Sequence, residues 1–434
     1  MKQNRIIFIL AFIFLVLIVS SFLTILFGEK DPYKYFTGLG SELAVSPNDE
    51  EIAFSYFLDG NEAIYKAGLD GSNIIKVTKG SKGRYHTPRF SVDGKEILYL
   101  SKDDTGINRL TLQNLNTSTK EQLTENTMHV TDAVFSQTGE KVYFIGIQAE
   151  EFKKAEGETR EGYDLYQVDV ASKEVTQLTD QDHFSMNDLS ISKDGKTLYY
   201  SLFNEFEQLY SYTIENEKQA PLEATSKLNH DIYSSVLSYD EQLLAYTAVS
   251  EETEDTSLFA YELFVKNLET NETKRLTDLQ TNIHAPTFFH QSNQMIFLEN
   301  KNWPEEPEEY QLMTMSITDD VPEVINLELP VSKENHFIMK ILESLLSGVA
   351  LAVYYILFFS CFTVLAQRNS RKVFLPFYIS ISLAVVLFLS SFVVGALSNP
   401  WNGLGIAMLS VGILGCSLVL LLLTFIVKKI VKPV

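Results

Sequence analysis

The sequence predicts an all-β six-bladed propeller joined to α-helical transmembrane segments, one N-terminal and three C-terminal. Three observations carry that expectation. Two almost wholly apolar stretches, residues 5–27 and 337–430, flank a polar, acidic region at 31–336. Within that region a short turn recurs six times, each copy followed by an apolar strand. A second marker, an apolar residue then threonine, keeps step with the first.

The apolar stretches are read first because they set the topology. Residues 5–27 carry no charge after Arg5 and are long enough to cross a bilayer core as a helix. A cleaved signal peptide is the rival, but the run is too long and no small-x-small cleavage site follows it, so an anchor is expected. Three further spans fit 337–366, 373–397 and 404–427, the first with Lys340 and Glu343 near its outer end. Basic residues sit beside the spans: Lys2 and Arg5, then Arg368, Arg371 and Lys372, then Lys428, Lys429 and Lys432. The connection from Ser398 to Asn402 has no charge, and its Trp401 suits an interface. Four spans with both termini cytoplasmic satisfy all of these signals. The expected protein is a multi-pass cell-membrane protein whose propeller is extracytoplasmic.

The chain then divides into a cytoplasmic start and N-terminal anchor (1–30), a linker (31–40), the propeller (41–329), a second linker (330–336) and a three-helix transmembrane region ending in the cytoplasm (337–434). Cys361 and Cys416 are the two cysteines, and both lie in apolar segments. The polar region therefore has no disulfide framework and must hold itself together by core packing. The net charge of −21 argues against nucleic acid as a partner and favours solubility or cationic partners.

The turn reads Ser46-Pro47-Asn48-Asp49-Glu50, Ser91-Val92-Asp93-Gly94-Lys95, Ser136-Gln137-Thr138-Gly139-Glu140, Ser192-Lys193-Asp194-Gly195-Lys196 and Ser238-Tyr239-Asp240-Glu241-Gln242. A degenerate sixth copy is His290-Gln291-Ser292-Asn293-Gln294, and successive starts stand 45, 45, 56, 46 and 52 residues apart. The second marker is Val77-Thr78, Leu123-Thr124, Leu178-Thr179, Ala224-Thr225 and Leu276-Thr277. Alternating strands lie between the markers, so each period reads as four short antiparallel strands, the pattern of a propeller blade. The turn resembles the Ser-Pro-Asp-Gly-Lys turn of TolB-type repeats, and Arg275-Leu276-Thr277 best keeps that family's unit ending. Similar blades occur in the propeller domains of dipeptidyl-peptidase and prolyl-oligopeptidase enzymes. The resemblance spans about residues 41–329 and implies a fold; its motif carries no catalytic residue.

Links between blades and links from strand two to strand three open on one face of such a disc. Insertions concentrate there, at 148–162, 250–257 and 300–309, the last containing Glu305, Glu306 and Trp303. Five histidines also fall in the interblade links: His86, His129, His183, His230 and His284. With carboxylates such as Asp132, Asp182 and Asp231 they are the candidate ligands for a divalent metal, although they do not keep register with the turn marker. Both tethers are expected on this face, which directs the ligand search toward it; an extra outer strand at 33–38 would change where the first tether enters. Close helix contact is expected at Gly348 and Ala352, at Ser391 and Gly395, and at Gly412 and Gly415.

No nucleophile elbow, metalloprotease, P-loop or dinucleotide motif occurs, so no catalytic residue and no cofactor is assigned. The expected function is non-enzymatic binding of a protein, peptide or cell-envelope ligand in a bacterial envelope. The alternatives are a metal-dependent binder or hydrolase working through the histidine and acidic face, and a scaffold subunit of a membrane complex.

Overall fold

The computed structural model describes residues 2–28, 31–79, 83–155, 157–203, 206–226, 228, 231–318, 321–369 and 371–431; His230 and Lys432 lie outside them. Its helices are α1 (Lys2–Phe27), α2 (Ala149–Phe152), α3 (Glu223–Ser226), α4 (Phe337–Leu345), α5 (Gly348–Arg368), α6 (Leu375–Leu397) and α7 (Pro400–Ile430). The chain splits into two compact units, Met1–Asp31 with Asn335–Val434, and Pro32–Glu334.

The second unit is built from antiparallel runs of four strands. The first run is Gly38–Val45, Glu51–Leu58, Asn61–Gly68 and Ile75–Lys76. The others open with the strands Arg84–Phe90, Met128–Phe135, Met186–Ile191, Tyr233–Leu237 and Asn282–Phe288. Two runs stand as separate four-stranded sheets. The remaining four form two eight-stranded sheets, each joined by one parallel bridge, Glu62 to Arg84 or Tyr261 to Asn282.

Both sequence markers have a structural cause. In the turn, the serine hydroxyl accepts the backbone N–H that opens the next strand: Glu51 to Ser46 at 2.9 Å, Glu96 to Ser91 at 2.9 Å, Thr197 to Ser192 at 2.9 Å and Leu243 to Ser238 at 2.9 Å. The same hydroxyl donates to the residue two further on, as from Ser91 to Asp93 at 2.8 Å. The fourth turn residue sits at positive φ, which suits Gly94, Gly139 and Gly195 and is also adopted by Asp49 and Glu241. In the closing marker the threonine hydroxyl accepts a third-strand N–H, as from Leu110 to Thr124 at 3.0 Å and from Leu263 to Thr277 at 2.9 Å. Each satisfies a backbone donor that a short outer strand would leave unpaired.

The sixth turn departs because its partner differs. His290 replaces the serine, and Asp49 of the first turn accepts the N–H groups of His290 at 2.8 Å and Gln291 at 2.7 Å. The first and last runs also share one apolar cluster, in which Val45 and Phe54 meet Ile296, Leu298 and Leu312. Other junctions pack alike, Leu110 and Leu112 against Val130 and Phe135, and Ile145 and Leu165 against Leu198 and Tyr200.

The ends of this unit are fastened. Residues 32–35 form a turn and the first strand begins at Gly38, so 33–38 adds no outer strand; Glu323–Val324 closes the sixth run. Tyr33 stacks on Phe57 at 4.9 Å and donates its hydroxyl to Glu308 at 3.0 Å. Near the other end Tyr56 donates to the carbonyl of Pro330 at 2.6 Å, and Ser332 donates to Asp59.

In the other unit four helices are long and apolar enough to cross a membrane: Asn4–Phe27, Gly348–Arg368, Leu375–Leu397 and Pro400–Ile430. They fit a membrane anchor. The expected span at 337–366 is corrected: the helix breaks at Leu346 and Ser347, and Ser347 caps α5 by accepting the N–H of Ala350 at 3.3 Å. Helix α4, ahead of the break, is exposed throughout. At 100° per residue Phe337, Ile338, Ile341, Leu342 and Leu345 share one side, with Met339, Lys340 and Glu343 on the other. Helices α6 and α7 pair through small residues. Gly403, Ser410, Ser417 and Thr424 recur every seven residues on α7, facing Ser380, Ala384 and Ser391 of α6. A Cβ on Gly403 would lie 2.7 Å from Gly395 Cα, so the contact expected at Ser391 and Gly395 is present, whereas Gly348, Gly412 and Gly415 have open space. Ser380 joins Tyr355 of α5 at 2.9 Å and Ser417 of α7 at 2.6 Å.

Candidate functional site: a cavity among the first strands

The first strands of all six runs, with the turns that follow them, line one cavity of about 630 Å³. Its wall includes Ser41, Glu42, Arg89, Asp188, Ser235 and His284, and nearer the turns Lys193, Tyr239, Glu241 and His290. In an antiparallel run the first-to-second turn and the second-to-third turn lie at opposite ends. The cavity therefore reaches the marker-turn end of the polar unit, away from the insertions.

A register break aims side chains into this space. The ladder shifts between Leu39 and Leu43, His86 and Arg89, Asn187 and Ser190, Tyr233 and Val236, and His284 and Thr287; in the third run it shifts between Val130 and Asp132. Thr87, Asp188, Ser234 and Ala285 in the breaks have φ of 53, 57, 47 and 49°. Residues with a Cβ rarely adopt that region, so the surroundings hold these bends. Such bulges turn a side chain out of the strand's alternation.

The acids of the breaks do specific work. Asp132 accepts from Arg89 Nη2 at 3.1 Å and from the N–H of Leu189, one run further on, at 2.9 Å. Asp188 repeats the pattern, accepting from the N–H of Ser235 in its next run at 2.8 Å and from Ser201 Oγ at 2.8 Å. Burial nevertheless raises Asp188 above the usual carboxylate range, against those hydrogen bonds. Glu42 holds the equivalent place in the first run. Enclosure by protein, with Asp132 and Asp188 nearby, pushes it up to about 7, while Arg89 acts in the opposite direction. Glu62, buried, is also pushed up to about 7 by desolvation.

These acids had a sequence signal. Glu42, Asp132 and Asp188 each stand four residues before a marker serine. The histidines share no such register, and among the described residues they form no metal-ligating group. His86 bonds Thr87 at 2.9 Å and Asn108 at 3.2 Å, and burial drops it to about 4. His129 stacks on Phe152 at 3.5 Å, accepts the N–H of Asn108 at 3.2 Å, and is likewise lowered by burial to about 4. His183 meets Gln219 at 3.3 Å; His284 packs edge-on against Tyr310 at 5.4 Å and lines the cavity. Neutral imidazoles with local partners form the walls of these links. Glu305 and Glu306 sit in the loop before Tyr310, where Trp303 donates to the carbonyl of Phe259 at 2.8 Å. Asp164, Asp180 and Asp182 bring carboxylate oxygens within 4.8 Å of one another, but Asp164 already accepts from Thr179 at 2.6 Å and the N–H of Gln181 at 2.9 Å.

The model of the dipeptidyl peptidase IV N-terminal region matches residues 78–204. That match supports a propeller reading of the polar unit. Among solved structures the chain is similar to TolB from Acinetobacter baumannii, with 18% identity and a TM-score of 0.49 over 71% of this chain and 68% of that one. It is also similar to a putative TolB from Agrobacterium tumefaciens, with 15% identity and a TM-score of 0.43 over 55% and 80%. An oligogalacturonate lyase from Vibrio parahaemolyticus shows 12% identity and a TM-score of 0.47 over 68% and 79%. No protein of curated function matches the sequence.

Proposed function

We propose that this protein is an extracytoplasmic binding module on a four-helix membrane anchor. In this reading the propeller is a closed ring of six blades that takes up a segment of a protein, peptide or cell-envelope ligand without converting it. The observation that carries the reading is the cavity of about 630 Å³, to which every first strand contributes. That volume lies within the range of specific ligand pockets. Ring closure is supported by Asp49 reaching His290 and Gln291 and by the apolar cluster shared between the first and last runs. Binding rather than chemistry is supported by the acids of the register breaks: Asp132 and Asp188 are used to hold neighbouring strands together.

The topology proposed with it has both termini in the cytoplasm, following the basic residues beside the spans. Helix α4 then lies along the outer membrane–water boundary, its apolar side in lipid, with Tyr354 of α5 fixing the corner by donating to the carbonyl of Leu345 at 2.9 Å. Membrane-impermeant maleimide on intact cells tests sidedness. A cysteine at Thr117 should label from outside, and one at Arg371 only after permeabilisation. The reverse pattern would put the propeller in the cytoplasm and end this reading. Purification of the full chain in mild detergent tests function: a specific envelope ligand should accompany it, whereas turnover of a candidate substrate would make it an enzyme.

A further inference from the structure

We propose that Glu42 makes the propeller cavity a receptor for a cationic side chain, a lysine or arginine presented by a peptide or protein ligand. The proposal rests on the binding-module reading above and names the chemistry that module selects.

The first run bends more widely than the others, with Gly40, Ser41 and Glu42 all inside its register break. Glu42 lines the cavity, and among the described residues no hydrogen bond or ion pair reaches its carboxylate. Its charged neighbours are Arg89, Asp132 and Asp188. The guanidinium that could neutralise it is committed, with Nη2 on Asp132 at 3.1 Å and Nη1 on the carbonyl of Pro88 at 3.1 Å. Asp188 is held by Ser235 and Ser201. Glu42 is thus an enclosed acid facing open volume, with two further carboxylates adding negative potential behind it. An enclosed carboxylate without a partner is costly, and an incoming cation removes that cost while gaining a charge-assisted bond.

The walls define which cation fits. Phe90, Val134, Leu189, Ile191, Val236 and Phe288 line the cavity beside the acid. Apolar wall residues together with an acid that has no partner match a long aliphatic stem with a charged tip. A divalent ion is disfavoured, because calcium takes six to eight oxygens at roughly 2.3–2.6 Å, whereas both Asp132 oxygens and Oδ2 of Asp188 already accept from neighbouring strands.

The experiment titrates the full-length protein in detergent with acetyl-Ala-Ala-Lys-Ala-Ala-amide, with the same peptide carrying acetyl-lysine, and with calcium alone. The wild type should bind the lysine peptide about tenfold or more tightly than its acetylated form, and Glu42→Gln should lose that preference. The comparison of the two peptides needs no variant, so it stands even if Glu42→Gln misfolds. Equal affinity for the two peptides, absence of binding by the lysine peptide, or an unchanged preference in folded Glu42→Gln would overturn the proposal. So would saturable calcium binding abolished by Glu42→Gln, which would make the cavity a metal site. A ligand that still co-purifies while both peptides bind alike sinks the charge selection and leaves the binding module standing.

Discussion

The two units reach order by opposite means. In the propeller, polar side chains do the repeated work: a serine in each regular turn, a threonine at most closures, and an acid bridging neighbouring runs. In the helical unit the recurring feature is a small side chain, with Gly403, Ser410, Ser417 and Thr424 letting α7 approach α6. Water outside a sheet competes for every backbone group, so the propeller has to satisfy its strand ends. Long apolar helices satisfy their own backbones and need only shape to pair.

The contrast is broken most severely at Gly403. Its missing Cβ lies 2.7 Å from both Gly395 Cα and the carbonyl oxygen of Ser391. Gly403→Leu should abolish the α6–α7 pairing, an effect beyond the roughly 1–3 kcal/mol of ordinary overpacking. It should leave propeller unfolding unchanged, which size-exclusion in detergent and thermal melts separate. A well-ordered Gly403→Leu bundle would mean the helices do not touch there.

Next in size is the junction of the first and last runs. Asp49→Ala removes the acceptor of two backbone N–H groups and of the His290 ring at 3.0 Å, a loss of about 2–3 kcal/mol in denaturant melts. Asp93→Ala, an ordinary turn residue, should cost about 1 kcal/mol. Equal losses would remove the special status of that junction.

Glu62 sharpens the polar side of the contrast. Its carboxyl is raised from 4.5 to about 7 by burial, so its contribution to stability is complete below pH 4.5 and is lost as pH rises through 7. Glu62→Gln should therefore melt like the wild type at pH 4 and be more stable by about 2 kcal/mol at pH 8. A variant destabilised at pH 8 would show the charge to be wanted. The smallest effect belongs to Ser238→Ala, which unseats the N–H of Leu243 and should cost about 1 kcal/mol.

What could be read in the sequence follows the same division. The turn and closure markers were legible because one hydrogen-bond geometry recurs in the five serine turns and in four threonine closures, and the sixth turn looked degenerate because Asp49 serves it from the first turn. The spans were legible from hydropathy, but the break before α5 was not. It depends on Ser347 acting as a cap inside a continuous apolar run. Histidines drew attention by residue type, and burial lowers His86 and His129 to about 4. The acids of the cavity were hidden among many others, and only their fixed distance from the marker serine distinguishes them. Which of them keeps a free carboxylate depends on contacts between distant runs, so Glu42 could not be told from Asp132 by spacing.

Ligand is proposed to enter the propeller at the marker-turn end, which the cavity reaches. A photo-reactive phenylalanine analogue placed at Tyr239, on the cavity wall, and separately at Phe184, which is 78% exposed in an interblade link, tests it in living cells. The account predicts one specific adduct from position 239, competed by free lysine peptide, and none from position 184. An adduct formed only at position 184 would move the binding site to the link face and contradict it.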